Sequence, residues 1–333
     1  MRPWRSKPDT ATAPPPADQP LRTALAEVQA DIAALREVVT ALTERAERAE
    51  RLASQAQSAM RLNEEARHVF DRLADKLDAG KIGAHLAQAI ARTPVVEDPF
   101  PHMVVEDLLP EPFYQLLCRT IPPAVFFGDR DPIKQNLRMP VEFAPELTLR
   151  VWRFFDQDIA AGLVRSLVSE RLAPWIRAQV VSLFGEALAD DVLALPQGSH
   201  GGRLMLRRPG YHLAPHRDPK RVFVTCLFYL PGKRDLPFGT QLHAVDGDGE
   251  APYAKTYYPE ETGGRCRLVR DVPCRHNSAL FMVNGTGAHG ASIPADATPP
   301  TLERHSYQFY VGPTSGLDAL VARLPEDRRA RWA

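Results

Sequence analysis

The chain has 333 residues, 44% of them apolar, enough to bury a sizeable core in one large domain or two modest ones. Lysine plus arginine equals aspartate plus glutamate at 41 each, so no global field draws the molecule toward nucleic acid or an anionic membrane. The four cysteines, Cys118, Cys226, Cys266 and Cys274, show no CxxC spacing and read as reduced thiols, and no stretch approaches the ~20 apolar residues of a membrane span, so the cytoplasm is the expected compartment.

Residues 1–20 are rich in Pro, Ala and Thr with little to bury, and are expected to form a disordered tail. From Leu21 to about Leu77 neither Pro nor Gly occurs, and the composition predicts a long exposed helix over residues 21–80, with Ala79-Gly80 as its stop. Leu25, Val28, Ile32, Leu35, Val39, Leu42, Ala46, Ala49 and Ala53 follow alternating steps of three and four, a heptad seam. The stripe is thin and the opposite face charged, so residues 25–53 are expected to form a coiled coil that joins copies of the chain into a homo-oligomer; packing on its own domain is the alternative. The spacing continues through Ala56 and Met60 to polar Asn63, where pairing weakens.

The main domain is expected over residues 95–315. Met103-Val104-Val105 reads as a short strand, Pro110 to Cys118 as a helix with a proline-rich start, and Val151 to Leu188 as helical, with Trp152, Phe155, Trp175, Ile176 and Phe184 as core. After Pro196 the texture changes. Short strand-like runs, Arg203 to Leu206, Val222 to Leu230, Gly239 to Ala244, Ala279 to Val283 and Ser306 to Val311, alternate with Gly and Pro clusters, the pattern of a sandwich or jelly roll. The fold class is therefore mainly β with flanking helices (α+β), with residues 316–333 as a tail or short helix.

The stretch PGYHLAPHRDPKRVFVTCLFYL carries the chemistry. His216 and Asp218 stand at i and i+2, so on an extended backbone both can reach one metal ion. ALFMVNGTGAHGAS offers His289 just after an apolar strand as a third ligand. Two histidines and a carboxylate on one face suit Fe(II) with open positions for oxygen chemistry, whereas a structural zinc site would be expected to use cysteines. In TLERHSYQFYVG, Arg304 at the head of the last strand can hold the far carboxylate of a dicarboxylate cosubstrate through a guanidinium fork, and Ser306 shares its strand face.

The order of HxD, distal His and Arg-x-Ser resembles the 2-oxoglutarate- and Fe(II)-dependent dioxygenases, and VTCLFYL with the PG before the HxD resembles their prolyl-4-hydroxylase-like branch. DPFPHMVVEDLLPEPFYQLL is similar to the first strand and helix of many bacterial members, so the likeness covers roughly residues 99–312. It implies a double-stranded β-helix of the jelly-roll type and metal ligation by His216, Asp218 and His289. It implies 2-oxoglutarate held by Arg304, Tyr229 and Ser306. The expected reaction consumes O2 and 2-oxoglutarate, gives succinate and carbon dioxide, and hydroxylates a C–H bond of a protein side chain or of a small metabolite or glycan precursor. Members that halogenate replace the carboxylate ligand with a small residue, which Asp218 is not.

Two features depart from the family. The segment PADATPP lengthens the His289 to Arg304 connection, and Arg208 stands where relatives have a tyrosine, with Tyr211 as a substitute. Gly239-Thr240 matches small residues that line the site in relatives. His200, His212, His243, His276 and His305 lack the spacing of His216 and are set aside. Arg203, Arg207, Arg208, Arg217, Lys220, Arg221, Lys233 and Arg234 outnumber Asp218 and Asp235 around the mouth, a basic rim that would suit an anionic substrate and is equally the pattern of ordinary solvated charges on strand edges. Nucleic acid is disfavoured, because no aromatic-studded basic groove is recognisable. Two other classes stay open: a noncatalytic jelly-roll adaptor, and a metal-dependent jelly-roll sugar isomerase or lyase.

Overall fold

The computed structural model describes residues 19–73, 76–127, 131–138, 144–231, 234–247 and 253–332. The tail expected over residues 1–20 falls almost wholly outside the described residues, as does Lys233. The chain divides into two compact units, residues 1–67 and 68–333.

The first unit is built on helix α1, Gln19–Leu73, uninterrupted as the absence of Pro and Gly predicts. Leu25, Val28, Leu35, Val39 and Leu42 are all more than half exposed, and Ile32 is 44% exposed. The seam is thus uncovered within its own unit. The helix ends at Leu73, ahead of the expected stop at Ala79-Gly80. Ala79 instead opens helix α2, Ala79–Arg92, because Asp78 is its N-cap and accepts a hydrogen bond from the Lys81 amide at 3.0 Å. Ile82, Leu86, Ala89 and Ile90 of α2 are buried in the main core, so the second unit starts before residue 95.

Two antiparallel sheets form the second unit. The larger has strands β1 (His102–Val105), β2 (Lys134–Arg138), β3 (Gln197–Arg207), β5 (Val224–Leu230), β8 (Ser278–Val283) and β10 (Arg304–Pro313), in the order β1-β8-β5-β10-β3-β2. The smaller has β4 (His212–His216), β6 (Leu236–Asp246), β7 (Arg265–Cys274) and β9 (Ala288–Ser292), in the order β4-β9-β6-β7.

Strand β5 shows why VTCLFYL is apolar throughout: every residue of it is buried. Cys226, Phe228 and Leu230 face a core filled by the helices, where Phe228 meets Phe155 edge-on at 5.2 Å, and Leu227 and Tyr229 belong to the cluster between the sheets. The helical layer comprises α3 (Glu111–Arg119), α4 (Glu146–Arg153), a π-helical stretch Phe154–Val164, α5 (Arg165–Arg171), α6 (Ala173–Phe184) and α7 (Glu186–Leu193). Trp152 and Phe155 are fully buried here, and Trp152 Nε1 donates to Thr120 O at 2.8 Å. Trp175 is partly buried and packs against the same core, while its Nε1 donates to Glu97. Residues after 315 form α8 (Leu317–Val321) and α9 (Glu326–Trp332), and Leu317, Leu320 and Leu324 pack into the same core.

Between the sheets, Met205, Leu227, Tyr229, Leu280 and Met282 of the larger pack against Leu242, Val272 and Cys274 of the smaller. Strands β6 and β7 approach so closely that a Cβ on Gly239 would lie 1.8 Å from Val272 O.

Candidate active site

Strand β4 ends at His216 and β9 carries His289, and these two residues are register partners across the antiparallel pair. The approach relies on Gly290, where a Cβ would lie 2.8 Å from Leu213 O. Asp218 follows β4 by two residues, and the three side chains offer one ligand atom each, all within 4.8 Å of one another. His289 Nε2 lies 3.6 Å from Asp218 Oδ2, and the two imidazole centroids are 4.3 Å apart. Each of the three residues is 6% exposed, and no other such cluster occurs among the described residues.

Neighbouring groups orient two of the three candidate ligands, His216 and Asp218. His216 Nδ1 donates to Ala214 O at 3.0 Å, which leaves Nε2 as the ligand nitrogen. Thr225 Oγ1 donates to Asp218 Oδ2 at 2.6 Å, and Tyr310 Oη donates to Oδ1 at 3.3 Å. Thr225 is itself fixed by Asn284, whose Nδ2 donates to Thr225 Oγ1 at 3.0 Å. Burial, reinforced by the neighbouring His216, pulls the His289 pKa down to about 4, which keeps the imidazole in its neutral, metal-binding form. Two nitrogens and a carboxylate, buried and oriented, with no cysteine in the cluster, fit Fe(II).

A cavity of about 300 Å³ between the sheets contains these ligands together with Arg304, Ser306 and Tyr229. Ser306 of β10 is the register partner of Tyr229 on β5. Arg304 is 5% exposed; its Nη1 donates to Gly239 O at 2.6 Å and Phe238 O at 3.2 Å, and its buried Nε has no partner among the described residues. A buried guanidinium with an uncommitted N–H and only carbonyl partners is suited to a carboxylate. Tyr229 Oη donates to Thr240 Oγ1 at 2.8 Å, and burial raises its pKa, so it remains a phenol. These residues fit the far end of 2-oxoglutarate. The cavity holds Thr240, whereas Gly239 contributes its carbonyl to Arg304.

The basic residues expected at the mouth separate. Arg203 and Arg207 line the cavity. Arg208 does not line it and pairs with Glu303 at 2.7 Å, while Tyr211 does line it. Arg217 donates to Thr286 O and Gly287 O, and Arg221 lines a neighbouring cavity. Lys220 is buried and Arg234 exposed. None of the histidines set aside joins the cluster: His276 bonds Glu111, His200 bonds backbone carbonyls, and His243 is buried with neither ring nitrogen hydrogen-bonded among the described residues.

Sequence reasoning missed Thr225 and Tyr310 as supports of Asp218, and Lys134 and Asn136 as lining residues. Tyr310 carried a usable signal, since Arg304, Ser306, Gln308 and Tyr310 share one face of β10 by period-two alternation.

No family model matches the sequence, and no curated protein matches it. Solved structures show a distant likeness. A Pseudomonas putida prolyl-4-hydroxylase is 16% identical, with 69% of this chain and 98% of that chain covered and a TM-score of 0.36. AviO1 from Streptomyces viridochromogenes is 14% identical over 69% of this chain and 96% of that chain, with a TM-score of 0.39. HygX from Streptomyces hygroscopicus, with nickel and 2-oxoglutarate bound, is 14% identical over 64% and 83%, with a TM-score of 0.36. No helix among the described residues is long and apolar enough to cross a membrane.

Proposed function

We propose that the chain is an Fe(II)- and 2-oxoglutarate-dependent dioxygenase of the prolyl-4-hydroxylase-like branch, hydroxylating a C–H bond of a small molecule or protein side chain with succinate and carbon dioxide as coproducts. The observation that carries this reading is the meeting of His216, Asp218 and His289 in the same cavity as the buried guanidinium of Arg304. Fe(II) bound by the triad supplies, with 2-oxoglutarate and O2, the oxidising power that an unactivated C–H bond requires.

The protein's own part is positioning. His216, Asp218 and His289 would hold the ion through one ligand atom each. Arg304 orients the cosubstrate through its far carboxylate, with Ser306 and Tyr229 as hydroxyl donors beside it. Thr225 and Tyr310 hold the Asp218 carboxylate, and Met205, Leu213 and Leu227 keep part of the cavity wall apolar. Anaerobic addition of Fe(II) and 2-oxoglutarate should develop the weak visible charge-transfer band of the chelate. A wild-type protein without that band, or a His216→Ala variant with the band undiminished, sinks the reading.

The same proposal assigns α1 to self-association. With Leu25, Ile32 and Val39 at a and Val28, Leu35 and Leu42 at d, two of three a positions are β-branched and two of three d positions are leucine, the combination that favours parallel dimers. In that register Asp31 at g faces Arg36 at e of the second copy, and Arg45 faces Glu50, so both charged pairs attract. Four free cysteines, two of them buried, support a cytoplasmic location.

A further inference from the structure

The inner face of the larger sheet is more basic than one dicarboxylate cosubstrate requires. Three adjacent strands place cations in one transverse row: Lys134 on β2 is the register partner of Arg207 on β3, which is the register partner of Arg304 on β10. All three line the cavity, as does Arg203, two pleats along β3 from Arg207. The only acidic residue among the described lining residues is Asp218, which the metal site takes.

Like charges opposite one another on neighbouring strands repel, and this row contains two such pairs. Arg207 is the more exacting case. It is 3% exposed, and its hydrogen bonds go to neutral groups: Nη1 to Gln135 O at 2.5 Å and Leu206 O at 3.0 Å, and Nη2 to Asn136 Oδ1 at 2.8 Å. Its Nε is buried with no partner among the described residues. Its guanidinium and that of Arg304 lie 4.9 and 5.5 Å from the same Tyr211 ring centroid, so the ring sits by two cations. Arg203, by contrast, is committed to Gln308 and to Tyr310 Oη at 3.1 Å, beside Asp218.

Buried guanidiniums without a counter-charge are costly unless a ligand supplies it. The far carboxylate of 2-oxoglutarate neutralises one of them, Arg304. We propose that Arg207, with Lys134 and Asn136, forms a second oxyanion subsite in the cavity, and that the substrate carries a carboxylate or phosphate group that docks there. This rests on the oxygenase reading of the site, and it narrows the substrate class to anionic molecules small enough to share the cavity with the cosubstrate.

The test is a calorimetric titration of Ni(II)-loaded protein, saturated with 2-oxoglutarate, with inorganic phosphate and, separately, with acetate. At least one anion should bind with 2-oxoglutarate still in place, and the tighter of the two identifies the oxyanion. Arg207→Gln and Lys134→Gln should each weaken that binding about tenfold while the affinity for 2-oxoglutarate stays within about threefold, and Arg304→Gln should do the reverse. Lys134 is exposed on an edge strand, so its variant reports binding even if Arg207→Gln compromises folding. The proposal is overturned if neither anion binds the loaded protein, if both merely displace 2-oxoglutarate, or if Arg207→Gln weakens 2-oxoglutarate as much as Arg304→Gln does. Should the protein bind neither nickel nor 2-oxoglutarate, the oxygenase reading fails by itself. The subsite then stands or falls on whether phosphate binds the metal-free protein and loses affinity in Lys134→Gln.

Discussion

His216 and His289 are register partners across β4 and β9, so one hydrogen-bonded strand pair brings together two imidazoles from distant parts of the sequence. The proposed metal site is therefore a property of the fold's pairing scheme, and its parts can be separated by substitution.

Metal and cosubstrate binding should divide cleanly. His216→Ala should reduce affinity for Ni(II) by on the order of a hundredfold or more, since even outer-shell losses cost ten- to a hundredfold. Arg304→Gln should retain metal and lose 2-oxoglutarate. Calorimetric titration with Ni(II), then with 2-oxoglutarate, reads both steps; equal loss of both ligands in Arg304→Gln would contradict the assignment.

The supports of Asp218 should rank by geometry. Thr225→Val removes a buried 2.6 Å hydrogen bond and should weaken metal binding about ten- to a hundredfold, whereas Tyr310→Phe removes a 3.3 Å contact and should cost less. Competition with a colorimetric chelator orders the two, and the reverse order would place the weight on Tyr310.

Acid should destabilise the metal-free protein through its buried histidines. Burial lowers the pKa values of His102, His289 and His305, that of His289 to about 4. The unfolded chain takes up these protons near pH 6.5, and the folded chain resists doing so. Stability should therefore fall as pH drops from about 6.5 toward 4, by up to about 3 kcal/mol for His289 alone. Urea unfolding at pH 7 and pH 5 measures this, and His289→Gln should flatten the dependence. An unchanged slope in that variant would remove His289 as the cause.

The long helix should respond to charge as a parallel pair. Arg36→Glu sets like charges opposite Asp31 of the second copy and should shift light-scattering mass toward monomer, and adding Asp31→Lys should restore it. An Arg36→Glu protein of undiminished mass, or a monomeric wild type, argues for a different use of the seam.

How much of this could be read from the chain depended on whether a feature is local. The buried strand β5 and the helices around Trp152 announce themselves by apolar runs, and the HxD lies within three residues. The meeting of His289 with that pair needed the family resemblance, since pairing is nonlocal. Strands β2, β4, β7 and β9 escaped because their residues are polar, small or mixed and take strand form from their neighbours. The early end of α1 escaped because Asp78, an ordinary charged residue in sequence, acts as a cap only once the helix after it forms. Arg207 looked like one rim charge among many until the register set it between Lys134 and Arg304.

Strand β10 bears Arg304, the proposed cosubstrate anchor, near one end and, past the irregularity between Gln308 and Tyr310, the tyrosine that donates to Asp218 near the other. A slip of one residue would turn both side chains to the helix-covered face at once. The two halves of the proposed reaction centre are thus mounted on a common beam: faulty alignment would disable them jointly, and neither can drift alone.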